Sequence, residues 1–246
     1  ALYFGHTGNQ GEAVIWGHAL GARLADMSGY QGHGSVAHPH GALISWALMM
    51  EGGIQINTEG ERFSNEHDGY SEQAKRVIRQ PDQTAYALID DRILALGREF
   101  PDFCGAEAAG ALISAASIAE MEDRLGVPVG ALQATLDDVA VCQAGQQEDS
   151  FGRDFTTKPV LTGAIHAIRV TGALFHTQGG LDINLDAEVI DANGQPLGGL
   201  LAAGGAARGV SGPDVSGYLS GNGLLTAITL GRIAGRQAAV LLAGSP

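Results

Sequence analysis

The stretch IQINTEGERFSNEHDGY, residues 54–70, holds two kinds of order side by side. Ile54 and Ile56 alternate with polar residues, as in a strand with one buried face, and Asn57-Thr58-Glu59-Gly60 has the composition of a turn. Phe63 resumes the apolar face on the far side, so residues 54–63 predict a β-hairpin. Arg62 and Glu66 then stand four apart and read as a structural pair fixing that hairpin. A lone tyrosine, Tyr70, follows four residues after Glu66. It is either one more half-buried aromatic or an acid/base group.

Working outward, residues 11–24 carry Val14, Ala19 and Leu20 among small residues and predict a helix packed closely on another layer. Residues 29–40 read as a Gly/His/Ser loop. Downstream, 86–89 is a short strand and 90–96 a helix. Ser117 with Glu120 is a capping box that opens a helix which Gly126 and Pro128 end. A further helix through Leu132, Leu136 and Val139 runs to about Gly145. Short strands follow at 164–170, 181–185 and 187–190, with an Asn193-Gly194 turn and a buried strand at 200–203. The last helix starts near Gly221-Asn222-Gly223 and runs towards Ala243. Its apolar content, broken by Arg232 and Arg236, predicts a buried helix and no membrane span.

Composition narrows the function. The 246 residues are 45% apolar, enough for a sizeable core, and carry a net charge of −13 from 27 acidic and 14 basic side chains. Such a polyanion is repelled by nucleic acid and anionic lipid, which excludes both as expected partners. Two cysteines, Cys104 and Cys142, in no metal or redox pattern fit reduced thiols in a cytoplasmic protein. His33, His38 and His40 put three imidazoles within eight residues, but no carboxylate or thiol completes a site, so no metal is expected. The opening ALYFGHTGNQ has neither the charge nor the apolar run of a signal peptide. It reads as the middle of a longer protein, a Gly-rich loop running into a helix.

No single glycine motif here is a dinucleotide fingerprint. The ordered set is specific: GGIQINTEGERFSNE (52–66), FHTQGGL (175–181), GLLAAGG (199–205), GYLSGNGLL (217–225) and GRIAG (231–235). In this order they resemble the flavoprotein family of fumarate reductases, succinate dehydrogenases and 3-ketosteroid dehydrogenases. The resemblance implies an α+β chain: a capping (catalytic) domain of the fumarate reductase flavoprotein type, residues 42–160, inserted in the C-terminal part of an α/β FAD-binding domain, residues 1–41 and 161–246. The family's N-terminal Rossmann unit, which holds the pyrophosphate, has no counterpart in these residues, so a separate or missing FAD-binding half is an expected partner.

The resemblance also implies site residues. FAD is the expected cofactor, with Gly179, Gly180, Gly204, Gly205, Gly221, Asn222, Gly223 and Leu224 around it. A helix opening Gly221-Asn222-Gly223 suits this independently, because its free N–H groups and positive dipole end favour the electron-rich edge of the ring. The fumarate-reducing branch carries arginines where this chain has Tyr70 and Tyr218. Ser45, Trp46 and Met49 fall where that branch has a threonine, a glutamate and a relay arginine. These positions supply no cation to grip a dicarboxylate. The ketosteroid dehydrogenase branch has tyrosines at both places, one a base and one a donor to the substrate carbonyl. Tyr70 and Tyr218 are therefore the expected catalytic pair, with His38, His176, Ser45 and Arg208 as substrate-binding residues. Leu219-Ser220 replaces that branch's usual Pro-Gly, which argues against steroid itself. A tyrosine with an ordinary pKa of about 10 needs help to act as a base, and His67 and His176 are the candidates for Tyr70. The expected activity is α,β-dehydrogenation of a ketone or the reverse enone reduction. The alternatives are reduction of an unsaturated carboxylate through Arg208 and His176, and a non-catalytic module that needs a separate FAD half.

Overall fold

A computed structural model describes residues 2–244. The chain is mixed α/β and divides into two compact units, Gly32–Ala173 and a second made of Tyr3–Gln31 with the residues from Leu174 onward.

The first unit is built on an antiparallel sheet. The long Ile165–Thr177 strand pairs with Thr84–Asp90, which pairs in turn with Ile54–Ile56. Leu112–Ala115 and Tyr30–Ala37 also pair with the long strand. Both faces of this sheet are covered, which is why the Thr84–Asp90 strand is buried throughout and reads as a nearly unbroken apolar run. Ala85, Ala87, Ile89, Ile168 and Val170 pack with Trp46, Leu48, Val77, Ile93 and Phe103 on one side. Tyr86, Leu88, Ile54, Ile56 and Ala167 pack with Met121, Leu125, Leu132 and Val139 on the other.

The helices of this unit start where their side chains provide caps. Asp90 accepts from the Ile93 N–H and opens Asp91–Gly97. Ser117 accepts from the Glu120 N–H and opens Ile118–Leu125, which Gly126 closes in the left-handed conformation. The Ala131–Gln143 helix has no cap of its own. The buried Glu122 carboxylate takes the N–H groups of Gly130, Leu132 and Gln133 instead.

Residues 29–40 are not the expected loop. Tyr30–Ala37 is a strand whose last six residues are all buried. Its composition hides it, because Gly32, His33, Gly34 and Ser35 interrupt any apolar alternation. This strand and the first part of Ile165–Thr177 hydrogen-bond into the sheet of the compact unit Gly32–Ala173. The Pro101–Ala108 helix was also not anticipated.

In the second unit the helix Glu12–Ala19 lies close on Leu181: a Cβ at Gly17 would come within 2.3 Å of its side chain. Leu24–Ala25 pairs with Gly180–Leu181, and Glu188–Ile190 pairs with Pro196–Leu201, each antiparallel. The expected strand at 181–185 stops at Leu181, and the one expected at 200–203 begins earlier and is largely exposed. The last helix, Asn222–Ala243, starts where the glycines put it. It is not the buried helix its composition suggested, because only Asn222 and Thr226 are buried on it. No helix among the described residues is long and apolar enough to cross a membrane.

Candidate functional site

Tyr70 is the first residue of the Tyr70–Val77 helix and is half-buried against the core. The helix lies very close to the sheet because two strands offer glycine beneath it. A Cβ at Gly34 would sit 2.7 Å from the Gln73 backbone, and one at Gly172 would sit 2.5 Å from the Ala74 carbonyl. The Tyr70 ring stacks on His33, centroids 5.0 Å apart and planes 24° from parallel. His33 meets Trp46 edge-on at 5.8 Å. Burial lowers the His33 pKa to about 4, so the imidazole is neutral across the physiological range. The imidazole stacked on Tyr70 is thus His33. His67, one of the two expected helpers, has its Nε2 3.3 Å from the Met49 carbonyl, and burial together with Arg153 lowers its pKa.

Around this helix the polar side chains are tied into the frame. Ser64 donates to Gln73, Gln73 to Gln55, and Gln55 to the Gly34 carbonyl, each at 2.9 Å. Glu66, fully buried, accepts from Arg62, from Arg153 and from the Gln55 N–H. The Arg62–Glu66 pair is therefore structural, as expected. Ser45 is half-buried and accepts from the Ala47 N–H, while the His38 N–H donates to the Arg169 carbonyl at 2.8 Å. Trp46 Nε1 is buried with no hydrogen-bond partner among the described residues.

A second arrangement belongs to the other unit. Tyr218 lies edge-on to His176, with its oxygen 3.4 Å from Nε2. Gln178 Nε2 stands 2.9 Å from His176 Nδ1, and Asn222 Nδ2 donates to Gln178 Oε1 at 3.0 Å and also to Ser211 Oγ. Gln178 Nε2 and the Thr177 carbonyl, at 3.1 Å, both face His176 Nδ1, and Nε2 faces the Tyr218 oxygen. Asn222 and Gln178 are buried while His176 and Tyr218 are half-buried, and the chain of bonds links Tyr218 to the start of the last helix.

That helix start is open to a ligand. Gly221 caps it in the left-handed conformation, φ 79°, with no side-chain cap, and the Asn222 N–H donates to the Leu219 carbonyl. Gly223 lines a cavity of about 700 Å³ together with Gly205, Gly179, Phe175, Met27 and Ile15, and His176 is also in its wall. A Cβ at Gly205 would meet nothing within 4 Å, so bare backbone faces open space there. A glycine-walled, largely apolar cavity with a helix N-terminus at its edge fits a flat ring with an electron-rich margin. The other glycines have packing reasons. A Cβ on Gly179 would strike the Met27 and Asp26 backbone at 2.5 Å, and one on Gly180 the Ala207 backbone at 2.6 Å. Gly204, φ 58°, opens a tight turn, and Leu224 is exposed on the first turn of the helix.

A family model described as an FAD binding domain matches residues 3–224. The chain belongs to that FAD-binding family. The NADH:fumarate oxidoreductase of Klebsiella pneumoniae (strain 342) is 32% identical over 95% of this chain and 25% of its own length. Among solved structures, the 3-ketosteroid-Δ4-(5α)-dehydrogenase of Rhodococcus jostii RHA1 superposes with a TM-score of 0.67 at 28% identity, covering 93% of this chain and 45% of that one. An open flavocytochrome c3 fumarate reductase gives 0.67 at 27% identity, covering 94% and 40%. The chain thus spans between a quarter and a half of these three proteins, and FAD is the cofactor of its family.

Arg208, expected to meet a carboxylate substrate, already has carboxylates on two sides, Asp26 at 2.6 Å and Asp182 at 3.6 Å. Asp138, Cys142 and Asp149 are the one group among the described residues within metal-binding reach, and Asp149 is committed to Arg62. Gln178 and Ser211 escaped the sequence reading. Gln178 sits inside the quoted FHTQGGL and could have been asked for a partner; nothing in the sequence singles out Ser211.

Proposed function

We propose that the complete protein is an FAD-dependent oxidoreductase that desaturates a ketone at the α,β position, or reduces the enone in reverse. The observation that carries this is the Tyr218–His176 pair, anchored through Gln178 to the helix start that edges the glycine-walled cavity. Tyr218 donates a hydrogen bond to the substrate carbonyl, which makes the neighbouring carbon acidic. Tyr70 takes the proton from that carbon in the forward direction and returns it in reverse. FAD, when bound, takes up or gives back the hydride of the adjacent carbon. The first turn of the Asn222–Ala243 helix would hold the electron-rich edge of the ring, with Gly205 and Gly223 leaving room for its face.

We assign the first unit to the capping domain and the second to part of the FAD-binding domain. The length that the relatives have beyond this chain would supply the pyrophosphate site. A cytoplasmic location, keeping Cys104 and Cys142 reduced, accords with this reading.

The test is turnover of a panel of cyclic ketones by the full-length protein. Tyr70→Phe is expected to lower kcat by about 10²–10⁴, and Tyr218→Phe by about 10²–10³. Wild-type turnover in both variants would falsify the assignment. A second reading, reduction of an unsaturated carboxylate, is favoured by the likeness to the Klebsiella fumarate oxidoreductase and by His176. The two carboxylates already on Arg208 weigh against it. Competition by fumarate-like dicarboxylates against ketone turnover separates the two. A flavin band in the visible spectrum of the purified protein disposes of the inert-module alternative.

A further inference from the structure

His33 lies on the strand beneath the Tyr70 helix and is 6% exposed. Three contacts fix its ring. Nδ1 accepts the Ser35 N–H at 3.2 Å, which ties the imidazole to its own strand. Trp46 meets it at 89° and 5.8 Å, and Tyr70 covers its face at 24° and 5.0 Å. Both spacings are those of favourable aromatic pairs. The helix carrying Tyr70 lies close over this strand: a Cβ at Gly34 would come within 2.7 Å of the Gln73 backbone. The imidazole is thus held by its own strand and by the indole, and it offers its face to the phenol. Burial keeps the imidazole uncharged, so it presents a plane without a competing charge.

We propose that His33 is a positioning residue for Tyr70: by stacking, it sets the plane in which the phenol ring stands, and with it the direction of the hydroxyl. This rests on reading Tyr70 as the acid/base group. The need for such a device is geometric. A side chain at the first position of a helix has only part of a turn to pack against, and proton transfer tolerates little misplacement. An error of about 1 Å can cost about 10²-fold in rate.

The test compares variants of the full-length, flavin-loaded protein on whichever cyclic ketone of the panel it turns over fastest. His33→Leu and His33→Gln keep much of the volume and remove the plane, whereas His33→Phe keeps the plane and removes the nitrogens. Melting curves identify the variants that fold, and two plane-less variants guard against losing one. The expectation is a kcat lowered about 10–100-fold by Leu or Gln, with KM within about 3-fold. His33→Phe should recover kcat to within about 3-fold of wild type. In a Tyr70→Phe background, His33→Leu should cost less than about 2-fold more, because the group it positions is gone. A Phe variant as slow as Leu overturns the proposal. So does a His33→Leu loss that multiplies with that of Tyr70→Phe, and in that case the role of Tyr70 survives. If Tyr70→Phe alone keeps full turnover, or no ketone is turned over, the acid/base reading falls and this inference falls with it.

Discussion

Glu66 is a full charge with no exposed surface, and its partners decide whether the first unit holds together. Burial pushes its carboxyl upward, but hydrogen bonds and charge from Arg62, together with Arg153 and the Gln55 N–H, outweigh this and hold it below the usual carboxylate range. Arg62 and Arg153 both stack on Phe155, and removing the acid leaves the buried Arg153 without its carboxylate and Arg62 with Asp149 alone. Glu66→Gln is therefore expected to destabilise the protein by about 3–5 kcal/mol at neutral pH. Because the folded pKa is depressed, the contribution is present above the unfolded value of about 4.3 and lost as pH falls through the folded one. Denaturant melts should show the gap between wild type and variant closing only in strong acid. His33 works in a higher window. Its folded pKa of about 4 lies below the unfolded 6.5, so stability is full above 6.5 and falls as pH drops towards 4. The loss should be about 3 kcal/mol, at 1.36 kcal/mol per unit, and His33→Phe should abolish that segment of the pH profile. The Arg62–Glu66 pair was legible from its spacing in ERFSNE. Asp149 and Arg153 were not, because they complete the cluster from 87 residues away.

At the scale of elements, what could be read was local and what was missed was tertiary. Asp90, Ser117, Gly126 and Gly221 each sit within a few residues of the backbone groups they satisfy, so those helix ends stood in the sequence. The Tyr30–Ala37 strand did not, because its buried positions include Gly32, His33, Gly34 and Ser35, and Gly32 and Gly34 find their hydrogen-bond partners far along the chain, at Ser71 and Gln55. Gly34 and Gly172 record the close approach of the Tyr70–Val77 helix, and a glycine inside a strand is a sign of it. Neither has a left-handed φ, so the argument is about space alone. Gly172→Ala would drive a methyl into the Ala74 carbonyl at 2.5 Å and the Ile78 side chain at 2.7 Å, forcing the helix off the sheet. The expected cost is about 1–3 kcal/mol of stability, together with a drop in turnover larger than that of a distant variant equally destabilised, because Tyr70 moves with the helix. Matching the melting temperature with an unrelated core substitution and comparing kcat tests this.

For the molecule as a whole, the last helix shows how far a pattern can carry. The run from Leu224 to Ala243 fixed its length and start, and its apolar content suggested burial. In the structure Leu224, Leu225, Ile228, Val240 and Leu242 are between 62% and 77% exposed. Composition reports that a surface needs covering, not what covers it. In the same unit, Ile15 and Trp16 of the Glu12–Ala19 helix and Leu20 at its C-cap are exposed by similar fractions. Large apolar side chains exposed in such number favour association in water. Charge does not offset this locally: the net −13 is spread over the whole chain, and the last helix carries only Arg232 and Arg236. These 246 residues expressed alone should therefore self-associate and bind hydrophobic dye, and added salt should strengthen the association by screening the shared negative charge. Leu225→Glu with Ile228→Glu should return the chain towards a monomer in light scattering, with the melting temperature little changed because neither side chain is buried. Self-association unaltered by both charges would place the sticky surface elsewhere.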